Sequence, residues 1–158
     1  MTKQILKVAA MLMLIAGLTA ASATIANGQG TKRLSVNVPF DFNVGERAVP
    51  AGQYDVVIPS SSSDALTIRN REGKDRVMIL GHAAERRSNG NMIAKLVFHR
   101  YGSTYFLSQA WMSGDSRGSE LAKTKQESAL ERELGKIAAY HRETKPLYEV
   151  VEVIATLR

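Results

Sequence analysis

Residues 92–112 read MIAKLVFHRYGSTYFLSQAWM. Two β-prone runs flank Gly102-Ser103, and two residues of this kind between such runs predict a tight hairpin turn. Phe98, Tyr101, Tyr105, Phe106 and Trp111 lie here, half of the chain's aromatic residues. With Gly102-Ser103 as the loop, Tyr101 opposes Thr104, Arg100 opposes Tyr105, and each further pair shares a face. One face then carries Leu96, Phe98, Arg100, Tyr105, Leu107, Gln109 and Trp111. The other carries Lys95, Val97, His99, Tyr101, Thr104, Phe106, Ser108 and Ala110. The first is the more apolar and is expected inside. That places Arg100, Tyr105, Gln109 and Trp111 among aliphatic neighbours, and these four are the candidate ligand-binding residues, since convergent polar groups in an apolar cavity make a common ligand site. The second face keeps Val97, Tyr101 and Phe106, too apolar to stay wet, so a helix or a partner should cover it.

Upstream of the hairpin the same period of two recurs. From Leu34 to Val44 every second residue is apolar, the mark of a strand with one buried face. Pro39 lies inside this run and predicts an edge or a bend there. Gly45 and Pro50-Ala51-Gly52 turn the chain. Strands follow over Gln53–Ile58, Ala65–Asn70 and Asp75 to about Ala84, separated by the polar loop Ser60–Asp64 and a turn at Glu72-Gly73. Arg86–Asn91 and the Gly/Ser-rich stretch Ser113–Ser119 read as loops. The period then changes. Leu130, Leu134, Ile137, Ala138 and His141 recur at helical spacing, and Thr124-x-x-Glu127 or Ser128-x-x-Glu131 supplies a capping box. Leu130, Leu134 and Ile137 are expected to be buried, with Glu127, Glu131, Arg132 and Lys136 facing water. Pro146 ends the helix, and Leu147–Leu157 is a last strand, expected beside the first. Short connections make neighbouring strands antiparallel. The expected fold is a single antiparallel β-barrel or sandwich of about seven strands, with one C-terminal amphipathic helix before the last strand.

Residues 1–23 read as a secretory signal peptide: Lys3 and Lys7, an apolar run from Val8 to Leu18, then Ala21-Ser22-Ala23. Cleavage leaves residues 24–158 as one domain, periplasmic or secreted, with no membrane-spanning segment once the leader is gone. The formal charge falls from +6 to +4 with the loss of two lysines. The 158-residue chain has no cysteine, which excludes thiol catalysis and Cys-based metal sites, and its length excludes a multi-domain enzyme. The densest bases, from Arg69 to Arg87, are interrupted by Glu72, Asp75 and Glu85, unlike the concentrated stripe that nucleic acid requires. The expected strands are also short for a transmembrane β-barrel.

Val36-Asn37-Val38-Pro39-Phe40-Asp41-Phe42-Asn43-Val44-Gly45 and Pro50-Ala51-Gly52-Gln53-Tyr54 resemble the opening of a family of short exported proteins of soil bacteria. Lys95–Gly102, Tyr105-Phe106-Leu107-Ser108-Gln109, Trp111, Gly118, Glu120-Leu121 and the charged helix from Ser128 are similar to its later signatures. The resemblance implies an exported single β-domain and implies no chemistry.

Gly114-Asp115-Ser116-Arg117-Gly118 fits G-x-S-x-G, a turn that can expose a nucleophilic Ser. The strands here form no βαβ unit, and only His141 follows Ser116, so a plain loop is favoured. His82, His99 and His141 show no metal-ligand spacing, and no metal or other cofactor is expected. The functional expectation is an exported, non-catalytic β-domain that binds a small apolar ligand or a protein partner; the alternative is a small serine hydrolase using Ser116. Edman sequencing of the exported protein is expected to start at Thr24, and an intact Met1 in that fraction would contradict the leader.

Overall fold

The computed structural model describes residues 33–57, 65–73, 76–87, 92–141 and 146–158. The leader (residues 1–23) and the loop Ser60–Asp64 lie outside the described residues. Within them, eleven strands precede and follow one helix. They are β1 (Arg33–Val38), β2 (Phe42–Val44), β3 (Arg47–Val49), β4 (Gly52–Val57), β5 (Ala65–Asn70), β6 (Arg76–Glu85), β7 (Lys95–Tyr101), β8 (Thr104–Trp111), β9 (Arg117–Leu121), the helix α1 (Lys125–His141), β10 (Glu149–Ile154) and β11 (Thr156–Leu157).

The strands form one large, mixed, mostly antiparallel sheet in the order β10-β7-β8-β9-β6-β5-β4-β1-β11, with β2 and β3 off this path. The sheet is open, which corrects the expected barrel, and it has eleven strands rather than about seven. Its two ends are successive pieces of one C-terminal segment, parted at Ala155: residues 149–154 pair with β7, and residues 156–157 pair with β1. The last strand thus does reach the first, but over Leu34 and Ser35 only. Upstream of Ala155 the segment is paired with β7 instead. At the far end of β1, Pro39 has no N–H to offer a ladder, so the strand stops at Val38 and the chain crosses to β2, which pairs with β3 and meets β8 in parallel at Asn43–Phe106.

The alternating residues form the core as their period requires. Leu34, Val36 and Val38 of β1, Tyr54 and Val56 of β4, Leu66 and Ile68 of β5 and Leu96 and Phe98 of β7 are all buried in one cluster. Aromatic rings pack within it and against it. Phe40 stacks on Tyr105 at 3.8 Å, and Phe98 receives the edges of Phe40 and Phe42 at 5.2 and 5.4 Å. Such pairs add to the area they bury.

The hairpin follows its expected pairing near the turn and departs from it farther out. Its loop is Gly102-Ser103, with Gly102 at φ +61°, and Tyr101–Thr104 through Phe98–Leu107 pair as expected. Beyond Phe98 the register shifts, so that Val97 opposes Gln109, Leu96 opposes Ala110 and Lys95 opposes Trp111. Ser108 is the inserted residue of a β-bulge. Because side chains alternate, one extra residue exchanges the faces. Ala110 therefore faces the core with Leu96, while Gln109 and Trp111 share the opposite face with Val97. The loop expected over Ser113–Ser119 is corrected too, since β9 begins at Arg117 within it. Trp111 lies across Gly118, where a Cβ would collide with its indole carbons.

Helix α1 starts one residue after Thr124, whose Oγ1 accepts the Glu127 N–H at 2.9 Å. Its stripe is less buried than its spacing predicts. Leu130 and Leu134 are half-buried, and Ile137 is 50% exposed. Glu127, expected in water, is only 4% exposed. The helix meets the sheet by its first turn, and its later turns keep one flank toward solvent. Phe98→Ala is expected to cost about 3–5 kcal/mol, and Leu134→Ala under about 2 kcal/mol because little cavity forms at a half-exposed site. Urea midpoints of both variants check this, and equal losses would overturn the difference in burial.

Candidate functional site at the junction of helix and hairpin

The bulge divides the four residues singled out by sequence between two faces of the sheet. Arg100 and Tyr105 are cross-strand neighbours. The Arg100 guanidinium lies 5.6 Å from the Tyr105 ring, donates to the Gly102 carbonyl at 2.8 Å, and pairs with Glu149 at 3.1 Å. Gln109 and Trp111 sit on the other face, where the Trp111 Nε1–H donates to Gln109 Oε1 at 3.0 Å. Arg86 covers the indole at 5.1 Å. Its Nη2 donates to the carbonyls of Ile93, Met112 and Asp115 at 3.2, 3.0 and 3.3 Å, and its backbone N–H bonds the Ser116 carbonyl. Arg86 therefore ties down the loop that carries Ser116. That loop is further shaped by Asp115 Oδ1, which accepts the Arg117 N–H at 3.0 Å. It runs into a strand, whereas a nucleophile elbow joins a strand to a helix.

On this second face, Val97, Tyr101, Phe106 and Trp111 are buried without belonging to the main core. The first turn of α1 covers part of the layer, as the apolar character of the face demands. The contact between them is polar. Glu127 Oε1 lies 2.8 Å from His99 Nδ1 and accepts the Tyr101 hydroxyl at 3.3 Å. Tyr148, on the approach to β10, packs its ring 4.2 Å from His99 and 5.5 Å from Tyr101. Lys123 lies 5.3 Å from the Tyr148 ring and pairs with Glu131 at 2.7 Å. From the β2–β3 turn, Glu46 Oε1 accepts the Lys125 N–H at 3.3 Å.

The electrostatics follow from the helix end. Unpaired N–H groups give an N-terminus partial positive charge, which favours the carboxylates of Glu46 and Glu127 there. A buried carboxylate must also be hydrogen-bonded, and His99 and Tyr101 provide donors. Burial and the nearby Glu127 charge push the Tyr101 hydroxyl well above the ordinary tyrosine range. Its hydrogen bond to Glu131 raises the Lys123 ammonium.

A carboxylate on Nδ1 orients an imidazole as it does in acid–base sites. Here the same Glu127 is also the anchor of the helix, with the Tyr148 ring tilted against His99. Among the described residues, no group of three or more His, Asp or Glu side chains is placed to hold a metal ion. His82 lies on β6 opposite Glu120 of β9, apart from the strand that carries His99. The sequence alone hides this cluster, since His99 reads as an isolated strand residue and Glu127 as a solvated one. The capping box at Thr124 marks the right helix turn, but nothing local shows which strand that turn meets. Comparison with protein-family models, curated proteins and solved structures gives no match.

A proton held more tightly in the folded chain ties stability to pH. Tyr101's raised value means stability is fully present below about pH 10, the unfolded value, and falls as pH rises beyond it. Lys123 acts with the same sign. Tyr101→Phe is expected to flatten part of the fall in urea midpoint as pH rises above about 10. An unchanged slope would overturn the role of the buried hydroxyl.

Proposed function

We propose that the chain is an exported, non-catalytic β-domain that binds a protein partner along its C-terminal strand. The observation that carries this is the exposed side of β10. Val150 is 58% and Ile154 66% exposed, on a strand paired through Glu149–Ile154 with β7. Ile93, next to the Ala94–Ala155 hydrogen bond, adds a third exposed apolar side chain. Edge strands are usually guarded by lysine, proline or a bulge. The sequence of β10 is EVVEVI, and its register with β7 is regular. Its acids are partly neutralised from the neighbouring strand, Glu149 by Arg100 and Glu152 by Lys95.

Export rests on the leader-like residues 1–23 and on the resemblance of the VPFDF and KLVFHRYG motifs to exported bacterial proteins. The non-catalytic reading is supported by the engagement of Glu127 and His99 in holding α1, and by the clamped loop around Ser116. A photo-crosslinking amino acid at Val150 or Ile154 tests the reading in cells that export the protein. A product of defined mass containing a second polypeptide is expected from these two positions and not from Gln53 on the far strand β4. No product from either β10 position, with export verified, would overturn it.

A further inference from the structure

Strands β1, β4, β5 and β6 bury one face in the core and turn the other to solvent. Their register lines up the residues of that outer face in rows. Leu80 pairs with Ala65. Met78, Thr67, Val57 and Arg33 follow one another across the four strands, and Arg76, Arg69 and Asp55 share the next row. Two features depart from an ordinary wet face. Met78 is 64% and Leu80 75% exposed, neighbours on one side of β6. Arg69 and Arg76 are directly opposed, and like charges so placed weaken a ladder. Asp55, in their row, is already held by Arg71 at 2.9 Å. Arg47 adds a further cation, since its Nη1 donates to the Arg76 carbonyl at 3.4 Å. Arg33, Arg69 and Arg76 are exposed, and among the described residues no carboxylate pairs with them. The acids that interrupt these bases along the chain do not neutralise them in space. Glu72 stands in the β5–β6 turn, and Glu85 lies at the far end of β6, about 30 Å along the strand from Arg76. Arg33 and Arg47, meanwhile, are brought in from upstream.

We infer that this face binds an anionic lipid surface, with its arginines on the headgroup phosphates and Met78 and Leu80 in the interface beside them. A guanidinium matches a phosphate through paired N–H donors. An anionic leaflet attracts basic side chains within a screening length of its surface. Arginine stems lie along apolar surface while their heads reach the phosphates. Apolar side chains that protrude among them enter the boundary between headgroups and acyl chains. An anion between Arg69 and Arg76 also removes the repulsion that their pairing otherwise leaves. The apolar pair decides the occupant. A soluble acidic polypeptide satisfies the arginines but leaves Met78 and Leu80 wet, whereas a lipid surface takes both. None of these strands is β10, so this face is separate from the partner edge above.

Flotation of the whole exported protein with lipid vesicles tests this. One set holds phosphatidylglycerol and phosphatidylcholine in equal parts, and the other phosphatidylcholine alone. Binding to the mixed vesicles is expected to be tighter by about tenfold or more, and to weaken as salt rises. Two double variants divide the contributions: Arg69→Gln with Arg76→Gln, and Met78→Ser with Leu80→Ser. All four positions are exposed, so urea midpoints should stay near the parent's. Each double variant is expected to lose several-fold in binding to the mixed vesicles. Equal binding to both vesicles, or binding to neither, would overturn the proposal. So would binding to the mixed vesicles that Met78→Ser with Leu80→Ser leaves unchanged. Capture of soluble poly-glutamate in preference to the mixed vesicles would also overturn it, and would show an acidic polypeptide to be the occupant.

Discussion

Ser108 is one residue too many for the ladder between β7 and β8, and much of the structure depends on where it goes. A strand carries its side chains on alternate sides, so the bulge reverses the assignment of everything beyond it. Ala110 enters the core opposite Leu96, small enough for the space beneath neighbouring strands. Trp111 is sent to the opposite face, where Gly118 leaves room for its ring and Arg86 closes over it. The hairpin thereby becomes buried on both sides. Without the bulge, Trp111 and Gln109 would compete with the rings of Phe40, Phe42 and Phe98 for one interior.

The second layer has a different balance of forces from the first. The main core is held by apolar burial and ring contacts. The helix, by contrast, touches the sheet through a buried carboxylate, with Leu130 and Leu134 half-buried beside it. Burying a charge is unfavourable unless it is well hydrogen-bonded, and such pairs add specificity more dependably than net stability. Glu127, His99 and Tyr101 thus define which turn of the helix meets which strand. A purely apolar stripe could slide by a turn with less loss, because one leucine contact resembles another.

A third consequence concerns the C-terminal segment. It serves both ends of the sheet, with its odd residues bonded to β7 and its last even residues to β1. The segment turns from β7 to β1 at Ala155, so the two ends of the sheet share a covalent link there without sharing a full ladder. β10 is thereby left at the end of the strand order, with Val150 and Ile154 exposed on its outer side.

The sequence by itself determined the elements that depend on near neighbours. The alternation from Leu34 to Val44, the Gly102-Ser103 turn, the cap at Thr124 and the interruption at Pro39 are all consequences of local sterics and hydrogen bonding, and all are readable along the chain. Among the expected site residues, the pairing of Arg100 with Tyr105 is legible because both lie next to the turn, before any slip can accumulate. The placing of Gln109 and Trp111 is not, because periodicity records which residues alternate but not where a partner strand forces one residue out of step. The tertiary structure alone decided the bulge at Ser108, the strand β9 in a Gly/Ser-rich stretch, the burial of Glu127 and the openness of the sheet. Each depends on residues that only the packing of strands and helix brings together: Trp111 over Gly118 and Arg86, Glu127 against His99, the C-terminal segment turning from β7 to β1 at Ala155.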